Sequence, residues 1–131
     1  MSNIALLIED NEQNRYLATF LLERNGYRVV AASDGPAGIE LARTISPLLI
    51  LLDIQLPLMD GYAVARSLRE IDALRSTPII AVTSYAMLGD REKAIEAGCD
   101  GYIEKPIDPD TFIAQIKTLL PDGQGSGGRT S

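Results

Sequence analysis

Leu48-Leu49-Ile50-Leu51-Leu52-Asp53 is a run of five apolar residues closed by one acid. An unbroken apolar run of this length reads as a strand buried on both faces, as in the middle of a parallel sheet. Open α/β sheets place their ligand crevice at the carboxyl ends of the strands, so the Asp53 carboxylate stands where a site is built. The same plan recurs along the chain. Ile4-Ala5-Leu6-Leu7-Ile8 closes on Glu9 and Asp10, Pro78-Ile79-Ile80-Ala81-Val82 closes on Thr83, and Lys105-Pro106 comes just after Gly101-Tyr102-Ile103. The strand ends therefore carry three carboxylates, one hydroxyl and one amine.

Between these runs lie amphipathic stretches. Strands are expected near 4–9, 27–32, 48–53, 78–83 and 100–104, and helices near 12–24, 34–45, 60–70, 88–97 and 108–119. Asn25-Gly26 stops the first helix, Ser33 or Asp34 caps the second ahead of Pro36, and Met59-Asp60-Gly61 opens the third. Asp108-Pro109 opens the last. Strict βα alternation with short loops implies parallel strands, right-handed crossovers and helices on both faces. The expected fold is α/β: a flavodoxin-like, doubly wound, five-stranded parallel sheet in the order 2-1-3-4-5. Its switch point falls between the strands that end in Glu9-Asp10 and in Asp53.

At 131 residues the chain suits one domain over residues 1–120, with a flexible Gly/Ser-rich tail over 121–131. No apolar run approaches the ~20 residues of a membrane span, so membrane insertion is not expected. The chain opens directly on a strand-like run without signal-peptide features, and its one cysteine, Cys99, excludes an internal disulfide. Both favour a cytoplasmic location. A net charge of −6 argues against direct nucleic-acid binding, and the absence of histidine means that any imidazole chemistry comes from another molecule.

Three converging carboxylates repel one another unless a cation joins them, and a hard divalent ion such as Mg2+ takes oxygen ligands of this kind. Asp10 and Asp53 are the expected direct ligands, with Glu9 acting through water. With the pocket neutralised, Asp53 can attack a phosphoryl group and carry it as an aspartyl phosphate. Lys105 supplies a point charge for the phosphoryl oxygens; the Thr83 hydroxyl and the Ser84 N–H add donors. Simpler readings exist for each residue: Asp53 as a helix cap, Asp10 as the N-cap of the first helix, Lys105 as a solvated loop lysine, Tyr102 as a half-buried strand aromatic, Cys99 as a small hydrophobe. Only the set taken together favours the site.

That set, Ile8-Glu9-Asp10-Asn11, Leu52-Asp53-Ile54-Gln55-Leu56-Pro57-Leu58-Met59-Asp60-Gly61, Thr83-Ser84 and Tyr102-Ile103-Glu104-Lys105-Pro106, resembles the receiver domain of bacterial two-component response regulators over about residues 3–120. The resemblance implies that Asp53 is the phosphoacceptor and that Asp10, Asp53 and the Gln55 backbone carbonyl bind Mg2+. It also makes Thr83 and Tyr102 the switch pair, puts Lys105 on the phosphate, and makes the Lys105-Pro106 bond cis. Glu9 departs from the aspartate that the family often has. Ala86-Met87-Leu88-Gly89-Asp90 and Ala97-Gly98-Cys99 are similar to stand-alone cell-division regulators. The implied partners are a sensor histidine kinase or histidine phosphotransfer protein, docking beside Asn11, Asn14, Arg15 and Leu17, and a downstream protein target met around Tyr85, Met87, Leu88 and Tyr102. Such a domain assists its own phosphorylation and dephosphorylation but is not a turnover enzyme.

Three alternatives stand beside this. A haloacid-dehalogenase-like phosphatase also uses an aspartate nucleophile and magnesium, but it carries a general acid two residues on, where this chain has Gln55. A flavodoxin-like electron carrier needs hydroxyls and amides in its first loop, where Glu9-Asp10 would repel a flavin phosphate. The chain could equally be the receiver piece of a larger regulator or hybrid kinase, its tail the start of a linker.

Overall fold

The strands and helices alternate strictly in the computed structural model, which describes residues 3–84 and 89–120. The strands are β1 (Ile4–Ile8), β2 (Arg28–Ala32), β3 (Leu49–Asp53), β4 (Ile79–Thr83) and β5 (Gly101–Glu104). The helices are α1 (Glu12–Arg24), α2 (Gly35–Thr44), α3 (Gly61–Arg69), α4 (Asp90–Glu96) and α5 (Phe112–Leu119). A short 3-10 turn at Asp72–Leu74, not anticipated from the sequence, leads into β4. All strands pair in parallel in the order β2-β1-β3-β4-β5, which is the order expected.

Period-two alternation divides the strands between two cores. Leu6, Ile8, Ile50, Leu52, Ile79 and Ala81 face α2, α3 and α4, meeting Ala42, Val64, Ala65, Leu68 and Ala94. Ala5, Leu7, Leu49, Leu51, Ile80, Val82 and Ile103 face α1 and α5, meeting Ala18, Leu22, Phe112 and Ile116. Every residue of β3 and β4 is buried, as the unbroken apolar runs require. Each fully buried leucine or isoleucine contributes roughly 1.5–3 kcal/mol, so these central strands fix the register of the sheet.

The caps are local and specific. Asn11, not Asp10, caps α1 by accepting from Asn14 N–H; Asp34 caps α2 and Asp60 caps α3 in the same way. The chain leaves α1 through Gly26 at φ 93°, in the left-handed region. The last helix begins at Phe112, later than the sequence suggests. The Asp108 side chain accepts from Asp110 N–H, and its carbonyl accepts from Thr111 and Phe112 N–H. Asp108 and Pro109 thus make a turn before the helix instead of its first turn. The helix expected over 88–97 is described from Asp90; residues 85–88 and 121–131 lie outside the described residues.

Candidate functional site

Strand parity assembles the site. Ala5, Leu7 and Glu9 alternate onto one face, as do Leu49, Leu51 and Asp53, and Ile103 and Lys105. Glu9, Asp53 and Lys105 thereby converge above the α1/α5 core at the carboxyl end of the sheet. Lys105 Nζ lies 3.1 Å from Glu9 Oε1 and 3.1 Å from Asp53 Oδ2, with Glu9 and Asp53 each only 2% exposed. Backbone bonds hold the three in place: Glu9 N–H donates to Ala32 O, Ile54 N–H to Val82 O, and Lys105 N–H to Thr83 O at 2.7 Å.

The loop after β3 is pinned just as closely. Gln55 N–H donates to Asp53 Oδ1 at 3.0 Å, and Gly61 N–H donates to Ile54 O at 2.9 Å. A methyl group on Gly61 would sit 2.5 Å from Ile54 Cα and 2.6 Å from Asp53 O. Only glycine lets α3 begin so near the acid. Within the loop, Met59 N–H donates to Pro57 O around Leu58, whose φ of 71° is strained for a residue other than glycine.

Two carboxylates share one amine, and that sets the charges. Burial first, then the hydrogen bond and charge of Glu9, push the Asp53 carboxyl up to about 7, against the opposing pull of Lys105 and Gln55 N–H. Burial alone would lower the Lys105 ammonium, but Asp53 and Glu9 outweigh it and hold the amine above its ordinary range. The amine stays charged, and in a metal-free pocket the pair of acids retains a proton to near neutrality.

Asp10 is the exposed member of the acidic group, yet one oxygen from each of Glu9, Asp10 and Asp53 lies within 4.8 Å of the others. Two buried carboxylates and one open to solvent, all hard oxygen donors, fit a divalent cation that keeps part of its water shell. Thr83 is buried at the end of β4, and its Oγ accepts from Gln55 Nε2 at 2.9 Å. Ser84 N–H donates to Gln55 Oε1 at 3.2 Å. Tyr102, half-buried, pairs with Ala81 on the face that carries Thr83 and packs against the α2–α4 core. The Lys105-Pro106 bond is cis, as the resemblance implies.

Some contacts had no reading in the sequence. Arg15 Nη1 donates to the Glu9 carbonyl at 2.9 Å and to that of Asp10 at 3.3 Å, fastening the acidic loop to α1. Its spacing of one helical turn past the acids is the signal that could have found it. Leu17, half-buried, packs against the α1/α5 core; the large apolar residues exposed on α1 are Tyr16 and Phe20. The Gln55 side-chain bridge has no signal in sequence.

The sequence profile of the response regulator receiver domain matches residues 5–117. The chain belongs to that family. Polar-differentiation response regulators DivK from Brucella anthropi and Brucella ovis are each 43% identical to this receiver domain over 122 residues, covering 93% of this chain and 99% of theirs. Among solved structures, the receiver domain of the sensor histidine kinase PA1611 from Pseudomonas aeruginosa, with a magnesium ion coordinated in its active-site cleft, superposes with a TM-score of 0.81 at 34% identity. That match covers 95% of this chain and 99% of the other. The chemotaxis response regulator CheY4 of Vibrio cholerae shares the fold with a TM-score of 0.87 at 23% identity, over 92% of this chain and all of its own.

Proposed function

We propose that this receiver domain takes a phosphoryl group onto Asp53 from the phosphohistidine of a sensor histidine kinase or histidine phosphotransfer protein. The observation that carries the reading is the held carboxylate of Asp53, with one oxygen on Gln55 N–H and the other on Lys105 Nζ, beside Glu9 and Asp10. An Asp53 oxygen attacks phosphorus in line, the P–N bond breaks, and its electron pair leaves with the donor imidazole. Lys105, fixed at its backbone to Thr83, places positive charge where the equatorial oxygens gather charge. The Thr83 hydroxyl and Ser84 N–H supply further donors.

Asp10, Asp53 and the Gln55 carbonyl would hold Mg2+ directly, with Glu9 behind a water; the ion supplies charge neutralisation for the attacking and transferred groups. The magnesium-bearing cleft of the PA1611 receiver supports this assignment. The Asp53 carboxyl must lose its proton to attack, and a bound cation favours that loss. The same groups would assist hydrolysis of the acyl phosphate, so the domain regulates its own state without turning over a separate substrate.

Thr83 and Tyr102, on one face of neighbouring strands, form the switch pair, and movement of Tyr102 would repack the surface read by a downstream protein. The other residues expected to form that surface, Tyr85, Met87 and Leu88, lie outside the described residues. We assign residues 1–120 to the domain, 121–131 to a Gly/Ser-rich tail, and the protein to the cytoplasm as a regulator that acts through proteins. Among the described residues no helix is long and apolar enough to cross a membrane.

Acetyl phosphate with Mg2+ should label wild-type protein with the acid stability of an acyl phosphate, and Asp53→Asn should abolish the label. Full labelling of Asp53→Asn would remove Asp53 as the acceptor.

A further inference from the structure

We propose that the Gln55 side chain is a latch that holds the end of β4 at rest, and that loading of Asp53 must release it. This rests on the reading of Asp53 as phosphoacceptor. One residue touches both halves of the device. Gln55 N–H donates to Asp53 Oδ1, Gln55 Nε2 donates to Thr83 Oγ, and Gln55 Oε1 accepts from Ser84 N–H. The amide orientation is fixed chemically. Ser84 N–H can only donate, so the amide oxygen must face it and the nitrogen must face Thr83.

The two groups clasped by the latch are the donors needed by the phosphoryl oxygens. Ser84 has a single N–H proton, which cannot serve Gln55 and a phosphoryl oxygen at full strength together. Thr83 must likewise turn from the amide of Gln55 if its hydroxyl is to follow the phosphoryl group. Converting the Asp53 carboxylate to an acyl phosphate also removes negative charge from its carboxyl oxygens. That weakens the charge-assisted bond from Gln55 N–H at the moment its side-chain partners are drawn away. Gln55 is thus a positioning residue: its reach couples the end of β3 to the end of β4, and its bonds stabilise the resting arrangement alone.

The test compares wild type with Gln55→Met, which keeps bulk without hydrogen bonds, and Gln55→Asn, which keeps the amide but is one methylene too short to span both partners. In metal-free, phosphate-free protein, amide exchange at Ser84 should quicken about tenfold in both variants. With Mg2+ present, their apparent beryllofluoride Kd should fall about five- to tenfold, because less resting-state bias opposes the loaded state. Urea midpoints measured alongside separate this from general loosening: a Ser84 effect no larger than that at core amides overturns the latch. Wild-type protein that binds beryllofluoride with variants that bind it equally well also overturns the latch, leaving the phosphoacceptor reading intact. Wild-type protein that fails to bind beryllofluoride overturns both.

Discussion

Glu9 and Lys105 form an ion pair at 3.1 Å with side-chain exposures of 3% and 10%, so the acid expected to act through water is also a direct partner of the amine. Glu9 Oε2 further accepts from Asn11 N–H, which ties the pair to the start of α1. Removing the amine would leave Glu9 and Asp53 buried face to face. Lys105→Met should therefore cost roughly 2–4 kcal/mol in metal-free protein at pH 8, with less lost at pH 5, where one acid takes up a proton. Urea denaturation at the two pH values checks this. An equal loss at both would show that the cost is packing and not charge.

The raised Asp53 carboxyl has a stability consequence of fixed sign. In the unfolded chain it ionises near pH 4, and in the folded, metal-free protein near 7. Below pH 4 both states hold the proton and nothing is lost. As pH rises from about 4 to about 7 the unfolded state alone sheds it, and folding stability falls. Asp53→Asn removes that slope and should gain on wild type by up to about 4 kcal/mol between pH 4 and pH 8, less whatever its lost ion pair with Lys105 was worth, with the gap closing toward pH 4. Paired unfolding curves in EDTA decide it; a gap that widens on acidification contradicts the assignment.

Leu58 is 83% exposed and held at φ 71°, so it bears backbone strain without packing in return. Leu58→Asn should raise stability by about 0.5–1 kcal/mol, since asparagine tolerates this region, whereas Leu58→Ala should gain almost nothing. Thermal unfolding of the two variants provides the comparison, and equal midpoints would count against strain as the cause.

At the opposite end of the sheet, Arg69 ties α3 to the segments that lead into β4 and β5. Its guanidinium donates to Gly98 O at 2.9 Å, to Leu74 O and Thr77 O at 2.7 Å, and to Asp100 Oδ2 at 2.9 Å. Asp100 in turn accepts from Ile79 N–H at the start of β4. A lysine has one nitrogen to serve these divergent acceptors. Arg69→Lys should lose about 2–3 kcal/mol, read as a lower urea midpoint at unchanged slope. Retention of the wild-type midpoint would show that water replaces the fork.

The strand alternation and the convergence of Glu9, Asp53 and Lys105 were legible because apolar runs and strand-end chemistry are local signals. Which of the two acids is buried was not legible: parity puts Glu9 on the face of Leu7 and Asp10 on that of Ile8, and helices cover both faces. The late start of α5 was not legible. Whether Asp108 caps a helix or closes a turn depends on where Phe112 must sit in the α1/α5 core.

What the sequence determined alone was the α/β order, the strand ends and the types of group they present, since hydrophobic periodicity and backbone sterics act over a few residues. Tertiary structure decided the rest: that two acids share one amine, that a single arginine ties α3 to the segments before β4 and β5, and that the Gln55 amide spans Thr83 and Ser84. The bonds of Lys105 to Glu9, Arg69 to Asp100 and Gln55 to Thr83 join residues 96, 31 and 28 positions apart, and their distances exist only once the sheet is assembled.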